Sequence, residues 1–174
     1  LCAAVSLLEQ YEAGQARKEI DRFFWNDFCD TYIELVKDRL YSPEKQKEQP
    51  RGAAQYALYH GLFSVLQLYA PFAPHITEAI YQELFRKNRQ ELSLHQTRWP
   101  RPEAPDQRLL RFGECIKNGL SAMRKEKTEQ GLSLRAEIDC FSLQAEKDLL
   151  PLLQESEGDL LACARAKRLE LQYL

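Results

Sequence analysis

An aromatic ring flanked by a cation and an amide can hold an unpaired base, because the ring stacks on it while the polar groups read its edge. Arg22, Phe23 and Asn26 offer that combination within one helical stretch. At about 100° per residue, Phe23 points between Asp30 and Glu34, off the apolar arc of its neighbours. The same ring could instead pack under another helix or against a further domain. A second set of candidates is basic: Arg98, Arg101, Arg108, Arg111, Lys117, Arg124, Lys125 and Lys127. Together they are enough for a phosphate-contact surface, which supplies affinity without sequence information. They do not form one clean face, since Arg111 and Lys117 lie about 120° apart on a helical wheel. A solvated surface and an RNA groove fit them equally.

Catalytic patterns are missing. The seven glycines are scattered and make no phosphate-cradling loop. His60, His75 and His95 fall in three different elements without metal-ligand spacing, and His60, on a nearly all-apolar helix, reads as a buried, hydrogen-bonded residue. Asp27 and Asp30 lie on a polar helix face rather than forming an acid–base pair. The five cysteines are odd in number and lack a CxxC, so packed reduced thiols are expected rather than a zinc or disulfide framework. No catalytic, cofactor-binding or metal residue is therefore expected in this chain.

Composition bounds the class. With 44% apolar and 29% charged residues the chain is long enough to bury a real core. Net charge is only −2, but it is unevenly spread. Residues 1–40 carry −3, residues 41–97 carry +1, residues 98–127 carry +4 and residues 128–174 carry −4. A basic middle between acidic ends is a local signal for a polyanion. The first residues, Leu1-Cys2-Ala3-Ala4-Val5, read as the middle of an amphipathic helix, so the chain is expected to be a piece of something longer.

The elements that must position these residues are mostly helices. Residues 1–12 read as a helix broken near Gly14, and a second runs from about Gln15 to Tyr41, stopped by Ser42-Pro43. Its apolar arc holds Ile20, Phe24, Trp25, Phe28, Cys29, Tyr32, Leu35 and Val36, wide enough to wedge between two neighbours. Residues 42–51 read as a charged loop. From Gly52 to Thr77 there is no Asp, Glu, Lys or Arg; its polar residues and Pro71 favour a central bundle helix over a membrane span. Pro74 opens a helix to about Arg86 that should bury Ile76, Ile80, Tyr81, Leu84 and Phe85. Prolines punctuate residues 88–105. Asp106 should cap a helix ending near Gly131, with the stripe Leu109, Phe112, Ile116, Leu120 and Met123. Leu134–Phe141 and Lys167–Leu174 read as strands, with short helices over 146–153 and 159–166 between them.

The motifs then resemble a known family. Phe24-Trp25-Asn26-Asp27-Phe28-Cys29-Asp30-Thr31-Tyr32-Ile33-Glu34, continued by Lys37, closely matches the helix motif of the valyl-tRNA synthetase anticodon-binding domain. Pro71-Phe72-Ala73-Pro74-His75-Ile76-Thr77-Glu78 resembles the following bundle motif, and Ser93-Leu94-His95 with Trp99-Pro100 its closing segment. These motifs span roughly residues 15–100. Isoleucyl and leucyl enzymes share the fold but usually differ at the Phe-Cys-Asp step. The resemblance implies a mainly α protein: an antiparallel helical bundle with its connecting helix over residues 1–131, then a small α/β subdomain over 132–174. It further implies a cytoplasmic, monomeric class I aminoacyl-tRNA synthetase that joins valine to tRNA(Val) with ATP and magnesium bound in a separate catalytic domain. Neither the HIGH-type nor the KMSKS-type signature occurs here, in keeping with a non-catalytic fragment.

On this reading the partners are the tRNA(Val) anticodon stem-loop and the enzyme's own catalytic domain, with no membrane. Arg22, Phe23 and Asn26 would meet splayed anticodon bases, and Arg108, Arg111, Lys117, Arg124 and Lys125 the stem backbone. Alternatives are the same domain of an isoleucyl- or leucyl-type synthetase, or a synthetase-like bundle that packs on proteins rather than RNA.

Overall fold

The computed structural model describes residues 2–41, 48–100 and 104–173. They form two compact units, one of Leu1–Asp30 with Glu48–Ala104 and one of Thr31–Lys47 with Pro105–Leu174. The architecture is mainly α with one small sheet.

In the first unit, α1 (Cys2–Glu9) and α2 (Ala13–Arg22) are separated at Tyr11, not at Gly14, which lies inside α2. Tyr11 takes the left-handed conformation (φ 62°), and the amides of Tyr11 and Glu12 close back on Leu8 and Leu7. That is a Schellman ending on a non-glycine residue, which glycine-based punctuation misses. After α2 the chain continues as a π-helix over Phe23–Ile33, whose last three residues belong to the second unit.

Helix α4 (Glu48–Tyr69) starts earlier than Gly52; Pro50 sits in its first turn, where a missing N–H costs nothing. Helix α5 (Pro74–Leu84) opens on Pro74 as expected, and a 3₁₀ turn, Arg86–Asn88, follows. Two aromatic-rich clusters fill this unit. One joins Ala4, Val5, Ile20 and Leu68, with Tyr69 and Phe72 against them. The other joins Phe63, Leu66, Tyr81, Phe85 and Leu94.

Several expected burials are corrected here. Ile76 and Leu84 are exposed, whereas Tyr81 and, just past α5, Phe85 are buried as expected and Thr77 joins them. Thr77 can sit inside because its hydroxyl donates to Ala73 O (2.9 Å), and Tyr81 because its hydroxyl donates to Glu91 O (2.7 Å). His60 is exposed rather than buried, its ring 4.2 Å from that of Tyr56. Among the described residues no helix is long and apolar enough to cross a membrane.

The second unit holds α3 (Glu34–Tyr41), α6 (Gln107–Glu129), β1 (Ile138–Ala145), α7 (Leu150–Glu155), α8 (Glu157–Ala164) and β2 (Ala166–Tyr173). Asp106 caps α6 as expected, accepting from the amides of Arg108 (2.8 Å) and Leu109 (3.3 Å). Gly131, at φ 70°, follows its end. The strands pair in parallel, Phe141 beside Leu169 and Leu143 beside Leu171.

Strand β1 begins four residues later than the sequence alternation suggests, since Leu134 is exposed in the preceding turn. Its inward residues Phe141, Leu143 and Ala145 pack with Ile116, Leu120 and Met123 of α6, while Leu109 stays exposed. The sequence division at residue 131 grouped α6 with the bundle; its apolar stripe packs on the sheet. Gly119 makes the close approach possible, because a Cβ there would lie 1.9 Å from Leu143 Cδ2. Gly61 serves α4 in the same way in the first unit, with Phe28 Cε2 at 2.6 Å.

Candidate nucleic-acid interface

The stretch that carries Arg22, Phe23 and Asn26 runs from the end of α2 into the π-helix. A π-helix bonds i to i+5 and so takes more residues per turn than an α-helix. Directions assigned at the α-helical step therefore drift along Phe23–Ile33. Phe23, expected to point outward, is half-buried with its ring 6.3 Å from that of Phe28. Trp25, expected in the core, is 58% exposed and lies edge-on to Phe24 at 5.0 Å. Asn26 beside it is exposed. The aromatic that this segment shows to solvent is thus Trp25.

Arg22 is exposed but engaged: its Nε and Nη2 donate to Glu19 Oε2 at 3.2 and 3.0 Å, and Asp27 lies 3.6 Å away. Nearby, the Tyr69 hydroxyl donates to Asp21 (2.5 Å); burial, with this bond and the Asp21 charge, pushes its pKa far above the usual phenol range.

The basic set in the second unit is largely occupied. Arg108 donates to Asp148 O, while Arg111 pairs with Glu146 and with Asp148 Oδ2 (2.7 Å). These two side chains fasten α6 to the turn after β1. Lys117 pairs with Glu114 (2.6 Å), and Lys125 with Glu129 (3.8 Å). Arg124 interacts with Cys163, and Arg101 lies outside the described residues.

Lys127 is not a surface cation at all. It is buried, and its Nζ donates to Leu134 O, Ala136 O and Ala164 O at 3.4, 2.8 and 3.0 Å. Burial, together with the Arg165 charge, lowers its pKa.

Cations without a carboxylate partner occur in the first unit. Lys87 and Arg98 are exposed and form no ion pair with any described residue. Arg89 lies over the Phe63 ring, 3.5 Å from its centroid, with no acidic partner among the described residues. Sequence reasoning passed over Lys87 and Arg89. The basic run Arg86-Lys87-Asn88-Arg89 was a visible signal, whereas Arg89 stacking on Phe63 joins residues far apart in the chain and has none.

Two polar side chains hold the segment that follows. Glu78 accepts from Gln82 Nε2 (2.6 Å), Ser93 Oγ (2.9 Å) and the Leu94 amide (2.9 Å). Burial by itself would raise its pKa, but these hydrogen bonds outweigh it and hold the carboxyl below its ordinary value. Gln67 on α4 donates to Thr97 Oγ1 (2.9 Å) and Arg98 O (2.7 Å), which places Trp99 immediately beyond.

Among the described residues no group of three His, Cys, Asp or Glu side chains could hold a metal. The arrangement offers bundled helices, exposed aromatics and unpaired cations, a surface suited to binding.

A sequence profile of the family described as the anticodon-binding domain of tRNA ligase matches residues 4–142. The chain belongs to that family. Similar proteins named valine–tRNA ligase include one from Pyrococcus furiosus, 34% identical over 170 residues, which covers 97% of this chain and 19% of the relative. One from Wolbachia pipientis is 34% identical over 170 residues, 96% of this chain and 19% of its own length. One from Haloarcula marismortui is 39% identical over 131 residues, 75% of this chain and 13% of the relative. The chain thus spans about a fifth of the length of these first two relatives. The match takes in nearly all of the first unit and the second as far as the middle of β1, and α7, α8 and β2 lie beyond it.

Proposed function

We propose that this chain is the tRNA-binding part of a valine–tRNA ligase, holding the anticodon stem-loop of tRNA(Val) while the enzyme's catalytic domain joins valine to the distant acceptor end. The observation that carries the reading is the alignment of 97% of the chain with valine–tRNA ligases inside a family of anticodon-binding domains. ATP and magnesium belong, on this reading, to the catalytic domain. The whole enzyme is cytoplasmic and monomeric in the same proposal.

Arg22, Phe23 and Asn26 are assigned to the anticodon loop, with exposed Trp25 now the leading aromatic beside them. Arg108, Arg111, Lys117, Arg124 and Lys125 are assigned to the stem backbone, where each ion pair must open before a phosphate is contacted. The test is a gel-shift titration of the 174-residue chain with tRNA(Val) and with a transcript whose anticodon is exchanged. Binding should favour the native anticodon and weaken roughly ten- to a hundredfold over a few-fold rise in salt if several phosphates are contacted. Equal affinity for both transcripts would remove the anticodon from the reading. Valine-dependent ATP–pyrophosphate exchange by the chain alone would contradict the non-catalytic assignment.

A further inference from the structure

A slot of about 170 Å³ opens at the C-terminal end of α4, lined by Gln67, Ala70, Pro71, Leu94, His95, Thr97 and Trp99. All belong to the first unit. The slot is smaller than the pockets that enclose drug-sized ligands, and its scale is that of one planar ring system. Its composition is that of a base site. Trp99, 40% exposed, supplies a large aromatic face, and Pro71, Ala70 and Leu94 make the wall apolar.

The polar group is Gln67, only 6% exposed. A carboxamide has two N–H donors and one carbonyl acceptor. Gln67 spends its nitrogen on Thr97 Oγ1 and Arg98 O, and because a carbonyl can only accept, the Arg98 bond fixes which end of the amide is nitrogen. Oε1 is what remains, and no described residue donates to it. Oε1 is not sealed from solvent, so its acceptor capacity is open to a donor that arrives from outside.

We propose that this slot is a subsite for one unpaired nucleobase, stacked on Trp99 and donating a ring or exocyclic N–H to Gln67 Oε1. The proposal rests on the tRNA-binding reading and adds a contact point to it. Arg98, exposed and without an ion pair among the described residues, adjoins the slot and suits the phosphate of the same nucleotide. The segment is rigidly placed for this purpose, since Gln67 and Glu78 anchor it from α4 and α5.

The chain has two tryptophans, so the Trp99 signal is read as the tryptophan emission that differs between the wild-type chain and Trp99→Phe, with Trp25 left in place. Both 174-residue chains are titrated with the tRNA(Val) anticodon stem-loop, following gel shift and tryptophan fluorescence together. Binding should quench Trp99, and making one loop position abasic should abolish the quench. In the wild-type background Trp99→Ala should weaken binding roughly ten- to a hundredfold, and Trp99→Phe should restore part of it. If Trp99→Ala loses its circular dichroism, the quench with intact Trp99 decides. RNA that shifts in the gel while Trp99 emission stays constant at every loop position overturns the slot and leaves tRNA binding standing. A chain that shifts neither tRNA nor stem-loop overturns both.

Discussion

Two basic sets, one in each unit, carry their positive charge differently. In the second, Arg108, Arg111, Lys117 and Lys125 sit against carboxylates or carbonyls of the same unit, and Lys127 is buried among three carbonyls. In the first, Lys87, Arg89 and Arg98 have no acidic partner among the described residues, and Arg89 is held by an aromatic face instead. Their cores differ in the same sense: Phe63, Tyr81 and Phe85 against a mostly aliphatic cluster around Leu120, Leu143, Leu153 and Leu160. A cation already satisfied holds a fold together. An unsatisfied one is available to a phosphate at no cost of breaking a prior bond. Net charge by segment, which pointed to residues 98–127, counts both kinds alike.

The largest effect tests whether the two cores are separate. Phe85→Ala in the first unit and Leu153→Ala in the second should cost about 3–5 and 2–5 kcal/mol respectively. Hydrogen exchange should accelerate within the mutated unit first. Uniform acceleration across both would merge them into one cooperative body.

Next is the ion pair between Arg39 and Asp159, in which Arg39 Nε donates to Asp159 Oδ1 at 2.7 Å and ties α3 to α8. Asp159→Ala leaves a half-buried guanidinium uncompensated and should cost roughly 2–3 kcal/mol in urea unfolding, less than a fully buried pair because Arg39 is partly solvated. A loss no larger than that of Lys167→Ala, whose partner Asp139 is fully exposed, would show that the pair only decorates the surface.

The charge contrast itself predicts unequal RNA effects. The double change Lys87→Ala with Arg98→Ala should weaken stem-loop binding about three- to tenfold and shallow its salt dependence. Lys117→Ala with Lys125→Ala should cost about twofold or less, since each must first leave Glu114 or Glu129. The reverse order would give the cations of the second unit the larger share of the phosphate contacts.

The smallest effect is a pH dependence confined to the first unit. The folded-state pKa of Glu78 is depressed, so its contribution is present above the ordinary carboxylate pKa and fades as pH falls towards its lowered folded value. The protection of the Leu94 amide, relative to its intrinsic exchange rate at each pH, should therefore fall on acidification across that window. In Glu78→Gln, which cannot ionise, the same amide should be less protected throughout and its protection insensitive to pH. Identical pH profiles in both proteins would show that Glu78 does not anchor this segment.

Much of the fold was legible because it depends on local rules. Asp106 announces a cap, Pro74 a first turn, and the stripe Ile116, Leu120, Met123 a helix face. The failures have separate causes. Trp25 and Phe23 exchanged places because the motif winds as a π-helix, and a helical wheel presupposes the α-helical step. Ile76 and Leu84 turned outward because Thr77, its hydroxyl bonded to Ala73 O, shares the inner face with Tyr81 and Phe85. His60 was placed inside on hydrophobicity alone, although the charge-free run of α4 has a solvent side at Tyr56 and His60.

By itself the sequence determined the family and the mainly helical class, because these follow from motif spacing and periodicity along the chain. Only the tertiary structure decided which aromatics face solvent, which cations are already spent and that Gln67 keeps an unpaired acceptor beside Trp99. Those properties depend on partners far apart in sequence, and neither periodicity nor charge counting contains that pairing.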